Sequence, residues 1–173
     1  THIISAVLAL LCAGLTQAAD APGSLVLWYE EPAADWQKQA LPLGNGNLGC
    51  MVFGGIESEH IQFNQDTLWI GDEKDTGSYQ AFGDFYVELP HSGAKDYRRE
   101  LDIGRAVHTI SYKVGQACYK REYFSSFPAQ VMVFRYTADT KGAHTGTISL
   151  TDMHEGNITA EKNRITVKGD RPR

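Results

Sequence analysis

The stretch His108-Thr-Ile-Ser-Tyr-Lys-Val-Gly-Gln-Ala-Cys-Tyr-Lys-Arg-Glu-Tyr-Phe124 decides the fold of this 173-residue chain. From His108 to Val114, bulky apolar or aromatic side chains alternate with small polar ones. This period of two predicts a β-strand with one buried face. Gly115-Gln116 can form a turn, and Cys118–Phe124 then runs back, so the stretch as a whole predicts an antiparallel hairpin.

Short runs of the same kind, separated by turn residues, recur along the rest of the chain. No segment shows a sustained helical period, although Pro32 can open a short helical turn. Loops are expected over residues 41–47 and 64–77. Many short strands with turns between them predict an all-β fold, an antiparallel β-sandwich. The further strands are predicted at 25–29, 48–53, 59–63, 82–89, 97–103, 131–136, 145–150, 157–160 and 164–168.

The charge is acidic overall and unevenly distributed. The formal net charge is -5, which argues against a nucleic-acid partner because nucleic-acid-binding domains usually carry a basic surplus. Residues 19–90 contain 2 basic and 12 acidic side chains, whereas residues 91–173 contain 14 basic and 9 acidic ones. Two oppositely charged halves folding into one body explain this asymmetry, and a basic docking face for an acidic partner is the alternative.

The chain starts with a segment typical of export signals. Ile3–Leu15 is almost wholly apolar but too short to span a bilayer comfortably as a helix. Thr16-Gln17-Ala18 then offers small residues at both recognition positions of a signal-peptidase cut, so residues 1–18 are predicted to be a signal peptide. The chain starts at Thr1 with no basic residue, and we expect this signal peptide to be incomplete. The prediction is a secreted or periplasmic protein without membrane attachment after cleavage. A lipoprotein anchor at Cys12 is the alternative.

Neither a metal nor a cofactor is predicted. The sequence contains no Cys-x-x-Cys pair or His/Cys cluster with zinc spacing, and its six histidines are scattered. It also lacks a phosphate-binding loop and a Gly-x-Ser-x-Gly elbow. Cys50 and Cys118 remain after signal cleavage. Export would permit a disulfide between them, and buried thiols are the alternative.

The stretch Gln62-Phe-Asn-Gln-Asp-Thr-Leu-Trp69 combines amides, a carboxylate, a hydroxyl and an indole. Amides and carboxylates can pair with sugar hydroxyls, and aromatic rings can stack on the apolar faces of sugars. The same polar side chains could instead bond the backbone of their own loop. With two asparagines of the Leu43–Asn47 loop, this stretch supplies the candidate site residues, which are Asn45, Asn47, Gln62, Asn64, Asp66, Thr67 and Trp69.

Five blocks of the sequence, in order, resemble glycoside hydrolase family 95, the α-L-fucosidases. Cys50 stands where a small residue such as Ala is expected. Each block alone is a weak signal, but five in register are specific, and the matches extend from about Leu27 to Leu150. The blocks are Leu41-Pro-Leu-Gly-Asn-Gly-Asn-Leu-Gly-Cys-Met-Val-Phe-Gly-Gly55, Ile61-Gln-Phe-Asn-Gln-Asp-Thr-Leu-Trp69, Tyr79-Gln-Ala-Phe-Gly-Asp-Phe85, Tyr97-Arg-Arg-Glu-Leu-Asp102 and Tyr119-Lys-Arg-Glu-Tyr-Phe-Ser-Ser126.

This resemblance implies a large multidomain enzyme in which an N-terminal, supersandwich-like β-domain packs against an (α/α)6 barrel. A Glu general acid and an Asp that directs water would hydrolyse fucosylated glycans with inversion. Those residues are expected downstream of Arg173, so no catalytic residue is carried onto this chain. Residues 19–173 are then expected to be the N-terminal β-sandwich domain, incomplete at its C-terminal end.

The resemblance also suggests what the candidate residues do. We expect Leu43–Asn47 and Gln62–Trp69 to lie mainly at the junction with the barrel, with some members at the rim of the sugar pocket. The partners are then a fucosylated glycan and the barrel of the same polypeptide. Two alternatives remain, a stand-alone carbohydrate-binding β-sandwich module and the N-terminal domain of a related disaccharide phosphorylase.

Overall fold

The computed structural model describes residues 25–169, and this range is all-β, with no helix. The predicted signal peptide therefore lies outside the described residues. The strands are β1 (Val26–Tyr29), β2 (Leu41–Gly44), β3 (Leu48–Val52), β4 (Ser58–Gln65), β5 (Trp69–Ile70), β6 (Ser78–Tyr79), β7 (Gly83–Glu88), β8 (Lys95–Asp102), β9 (Val107–Val114), β10 (Ala117–Ser126), β11 (Val131–Ala138), β12 (Thr147–Asp152), β13 (Asn157–Glu161) and β14 (Arg164–Lys168).

Two five-stranded antiparallel sheets form the body of the domain. Sheet I has the order β1-β8-β9-β10-β11, and sheet II has the order β12-β7-β4-β3-β2. Two small hairpins, β5–β6 and β13–β14, complete the described strands. The predicted all-β antiparallel sandwich is confirmed. Side chains from both sheets meet in one core, among them Leu41, Val52 and Ile61 from sheet II and Leu101, Ile110 and Tyr123 from sheet I.

The hairpin predicted from residues 108–124 is β9–β10. Val114 pairs with Ala117 across the turn, and Gly115 adopts a positive φ of 59° there. Along β9, His108, Ile110 and Tyr112 are buried while their neighbours are more exposed. The alternation in the sequence therefore gave the correct inward face of this strand.

Two predicted loops are partly wrong. Residues 41–44 are a strand because Leu41 and Leu43 supply a buried face, and only residues 45–47 form the turn to β3. The predicted loop 64–77 contains the end of β4 and the short strand β5. The predicted turn near Pro32 begins only after Asp35, whose carboxylate accepts backbone N–H bonds from Gln37 and Lys38.

A buried ion pair crosses the core between the sheets. Arg121 of β10 donates from Nη1 to Glu59 Oε2 of β4 at 2.9 Å, and the two side chains are 1% and 0% exposed. The same guanidinium donates to the carbonyl oxygens of Gly55 and Ile56 at 2.6 and 2.8 Å. Its remaining bond goes to the Tyr112 hydroxyl at 2.7 Å. Arg121 thus fastens the β3–β4 connection of sheet II to sheet I.

The Glu59 carboxylate has further partners of its own. It accepts hydrogen bonds from the Gly54 backbone N–H at 2.7 Å and from the Tyr123 hydroxyl at 2.9 Å. Burial raises the pKa of the Glu59 carboxyl, while the Arg121 charge and these hydrogen bonds act against that rise. Both ions are removed from water, so the attraction between them must offset the loss of their hydration.

Replacing Arg121 by Met should destabilise the domain severely, because it would leave the Glu59 carboxylate buried without its counter-charge. We expect a loss of about 3–5 kcal/mol in the free energy of unfolding, measured by urea denaturation at neutral pH. The matched control is Arg135→Met, which removes a 3.3 Å pair to Glu122 from a side chain that is 65% exposed. That change should cost less than about 1 kcal/mol, and equal losses in the two variants would contradict the assignment.

His108 is a second buried polar group in the core. Its side chain is fully buried and lies edge-on to the Tyr123 ring, with centroids 5.6 Å apart. Neither ring nitrogen has a hydrogen-bond partner within residues 25–169. Burial, with the nearby Arg99 charge, lowers the pKa of His108 to about 3. The imidazole is therefore neutral in the folded chain.

His108 should make the domain less stable as the pH falls below about 6.5, the usual pKa of a solvated histidine. Between that value and about 3, the unfolded chain binds a proton at His108 that the folded chain does not. Protonation therefore favours the unfolded state, by at most about 1.4 kcal/mol per pH unit for one such group. The check is the free energy of unfolding of the wild type and His108→Leu between pH 7.5 and 4.5. The variant should lose less stability on acidification, and parallel curves would refute this account.

Candidate functional site

Three turns meet at one end of the sandwich, which we call the turn end. They are the β2–β3 turn at residues 45–47, the turn after β4 at residues 66–68, and the β10–β11 turn at residues 127–130. The Asn45 Nδ2 donates to the Ser126 carbonyl at 3.0 Å, and the Asn47 Nδ2 donates to the Gln130 Oε1 at 2.9 Å. Four of the predicted site residues, Asn45, Asn47, Asp66 and Thr67, lie in two of these turns.

Asn45 holds its own turn. Its Oδ1 accepts the backbone N–H groups of Asn47 and Leu48 at 3.1 and 2.7 Å, and Gly46 follows with a φ of 88°. Its Nδ2 donates to Ser126, so both polar atoms of this buried side chain have hydrogen-bond partners. This geometry matches the alternative of a loop-holding asparagine, and it also joins sheet II to sheet I.

Gln65, which the sequence analysis did not single out, organises the turn after β4. Its Nε2 donates to the Asn47 Oδ1 and to the Asp66 Oδ1, both at 2.6 Å. Its Oε1 accepts the backbone N–H of Thr67 at 2.9 Å. Asn47, Asp66 and Thr67 are therefore linked through one amide. The strand period could have identified it, because Gln65 follows Glu59, Ile61 and Phe63 at every second position.

Trp69 pairs with Tyr79 in the β5–β6 hairpin. Their rings meet edge to face, with centroids 4.7 Å apart and an interplanar angle of 90°. Trp69 is 39% exposed and Tyr79 is 59% exposed, so Trp69 is not a core residue of the sandwich. Its contact fixes the orientation of the Tyr79 ring, and such aromatic pairs add about 0.5–1.5 kcal/mol beyond the burial of their area.

Next to the turn end, the outer face of sheet II carries a cleft of about 410 Å³, the outer cleft. The pleat of β4 turns Ile61 inward and places Gln62 and Asn64 on the opposite face. On the neighbouring strand β3, Gly49 pairs with Asn64 and adds no side chain, whereas Met51 pairs with Gln62. Trp36 and Tyr79 also line the cleft.

A second recess of about 280 Å³ adjoins the outer cleft and shares Gly49, Asn64 and Tyr79 with it. Asn47 and Asp66 line this recess. The structure thus brings Asn47, Gln62, Asn64 and Asp66 to two adjoining depressions, while Asn45, Thr67 and Trp69 lie outside both linings. A role of the seven residues at a substrate rim or a domain interface stays a prediction.

The described part of the chain, residues 25–169, contains no group of three or more His, Cys, Asp or Glu side chains that could hold a metal ion. Within the same range, no helix has the length and apolar character needed to cross a bilayer. No disulfide joins Cys50 to Cys118 there. Cys50 is buried, and this burial raises the pKa of its thiol to about 12, as expected for a structural rather than a reactive cysteine.

Asn45→Ala should lower stability much more than Asn64→Ala. The first change removes three hydrogen bonds and leaves the Ser126 carbonyl and two turn N–H groups to find other partners. We expect it to cost about 1–3 kcal/mol. Within residues 25–169, the Asn64 side chain makes one hydrogen bond, in which its Oδ1 accepts the adjacent Gln65 N–H, so its loss should cost about 0.5 kcal/mol. Urea denaturation of both variants tests this prediction. A larger loss of stability in Asn64→Ala than in Asn45→Ala would contradict the structural role of Asn45.

The family described as "Glycosyl hydrolase family 65, N-terminal domain" matches residues 27–78 and 72–173. "Alpha-L-fucosidase 2" of Arabidopsis thaliana is 30% identical over 187 residues, which cover 84% of this chain and 22% of the relative. "Probable alpha-fucosidase A" of Aspergillus oryzae is 27% identical over 152 residues, covering 63% of this chain and 21% of the relative. The protein of the same name from Aspergillus niger is 26% identical over 158 residues, which cover 66% of this chain and 20% of the relative.

The chain thus spans about a fifth of the length of these curated relatives. The resemblance predicted from the sequence, to the N-terminal domain of a fucosidase-type glycoside hydrolase, is confirmed. Because the family match covers most of the chain, the protein belongs to the family of glycosyl hydrolase family 65 N-terminal domains.

Proposed function

We propose that this chain is the N-terminal, non-catalytic portion of a secreted α-L-fucosidase that releases terminal α-L-fucosyl residues from glycans with inversion. The observation that carries the proposal is the match to an N-terminal glycosyl hydrolase domain together with three relatives named as fucosidases, of which the chain spans about a fifth. The five ordered sequence blocks from Leu41 to Ser126 support the same conclusion.

In this proposal the acid and base come from a barrel domain downstream of Arg173. Inversion needs two carboxyl groups roughly 6.5–9.5 Å apart, so that a water molecule fits between one of them and the sugar. The most deeply buried carboxylate of the described chain, Glu59, is bonded to Arg121 inside the core and cannot reach a substrate. The role of the present domain is then to support the barrel and to shape its surroundings.

The turn end is the surface we propose for the junction with the barrel. It carries Phe127, which is 69% exposed, and the adjacent Val131, which is 43% exposed. The outer face of sheet I instead carries ion pairs such as Lys120–Glu122 at 2.8 Å, which are typical of a solvated face. A contact at the turn end would cover Phe127 and Val131 and leave the Lys120–Glu122 pair in water.

The secreted or periplasmic location belongs to the same proposal. It is supported by the apolar segment Ile3–Leu15 and by the small residues Thr16 and Ala18 at the predicted cleavage site. The partners are a fucosylated glycan and the barrel of the same polypeptide. A stand-alone carbohydrate-binding module and a disaccharide phosphorylase domain are the alternatives, and the names of the three relatives favour the fucosidase over both.

The 173-residue chain alone should hydrolyse no fucoside, because the acid and base of the proposed reaction lie outside it. The test is release of fucose from 2′-fucosyllactose by the purified chain, compared with the same chain extended by its downstream coding sequence. Only the extended protein should release fucose. Turnover by the chain itself above a buffer control would refute the assignment of catalysis to a downstream domain.

A further inference from the structure

The outer cleft has the surface chemistry of a ligand site of its own. Two aromatic side chains that line it remain exposed, Trp36 by 51% and Tyr79 by 59%. The Tyr79 ring packs edge to face against Trp69, and the Asp35 carboxylate caps the turn that carries Trp36. Large rings at the surface offer flat apolar faces to a ligand.

Amide groups with free hydrogen-bonding capacity lie beside these rings. Within residues 25–169, no side-chain hydrogen bond is recorded for Gln62, which stands on the central strand of sheet II. Asn64 uses only its Oδ1, which accepts the Gln65 N–H at 2.8 Å, and its Nδ2 group remains available within the same range. Amides can donate and accept at once, so they suit hydroxyl groups, which do the same.

The lining of the outer cleft is uncharged. None of its twelve residues is Asp, Glu, Lys, Arg or His. The cleft also lies in the acidic part of the chain, where residues 19–90 hold 12 acidic and only 2 basic side chains. An anion would therefore be repelled and a cation would find no carboxylate within the cleft, which favours a neutral ligand.

Glycine keeps the cleft open. Gly49 lies on β3 beside Asn64, and a Cβ added there would meet only the Leu43 carbonyl oxygen, at 3.8 Å. A larger residue would fit the backbone at this position but would occupy the cleft. Its volume of about 410 Å³ falls within the roughly 300–1,000 Å³ typical of small-molecule sites.

We propose that the outer cleft binds a neutral oligosaccharide, with sugar faces stacked on Trp36 and Tyr79 and hydroxyl groups bonded to Gln62 and Asn64. This goes beyond the proposed function, because the site belongs to the non-catalytic domain and needs no residue of the barrel. It would hold a glycan next to the turn end, beside the proposed junction. The domain then contributes substrate capture as well as support.

Saturation-transfer NMR with the 173-residue chain tests this proposal. The probes are lactose and 2′-fucosyllactose, with 3′-sialyllactose as the charged comparison. We expect the two neutral sugars to bind and the sialylated sugar to bind at least about tenfold more weakly. Trp36→Ala and Gln62→Ala should each weaken binding of the neutral sugars about tenfold, and Gly49→Val should abolish it.

Trp28→Ala is the matched control. Trp28 is 43% exposed but lies on β1 of sheet I, where it packs on the Arg98 guanidinium at 4.5 Å. Its loss should leave sugar binding unchanged. Circular dichroism melts of all variants identify any that fail to fold, and Gln62→Ala, which removes no internal hydrogen bond, provides the test least affected by folding.

The proposal is overturned if the folded chain binds no neutral sugar, or if Gly49→Val and Gln62→Ala bind as the wild type does. Stronger binding of the sialylated probe also overturns it. Fucose release by the extended protein is measured in parallel. If the extended protein releases fucose but the 173-residue chain binds no sugar, only the cleft proposal is refuted. If the chain binds sugar but the extended protein releases no fucose, only the proposed function is refuted.

Discussion

The ion pair between Arg121 and Glu59 is the contact on which the rest of the domain depends. It joins β10 of sheet I to β4, the central strand of sheet II, in a region where neither side chain is accessible to water. A slip of either strand by one residue would turn one ion outward and leave the other buried alone. The pair therefore selects the register in which both sheets bury their apolar faces.

This constraint also shapes the surface. Because Glu59 and Ile61 point inward, Gln62 must stand on the outer face, where the cleft forms. The β3–β4 connection is fixed by the same network, since Gly54 donates to Glu59 and lies against Tyr97 and Arg99. Gly54 has a φ of 77°, and a Cβ there would come within 2.6 Å of the Tyr97 hydroxyl. The buried Arg121–Glu59 pair and the close packing around Gly54 thus determine which side chains lie on the outer face of sheet II.

The alternation in the sequence was enough to predict most of the longer strands and the hairpin β9–β10, because burial of one face follows from a period of two. It placed His108 on the inward face of β9, but it could not predict that Arg121 is a fully enclosed ion, since arginine side chains usually face water. β2 was missed because Pro42 and Gly44 are typical of loops, while the burial of Leu41 and Leu43 decided its structure.

The sequence identified Gln62 and Asn64 as candidates from their amide chemistry, and their functional role stays a prediction. Their position beside Trp36 and Tyr79 could not be predicted, because only the folded chain brings these residues together. The fold also affects the order in which contacts can form during synthesis. Glu59 is translated 62 residues before Arg121. Strand β1 cannot pair until β8 has been translated, because Leu27 of β1 pairs with Leu101 of β8. The ion pair and the β1–β8 pairing therefore cannot form until the chain has been translated through Arg121, and until then the apolar faces that they help to bury remain exposed to other chains or chaperones.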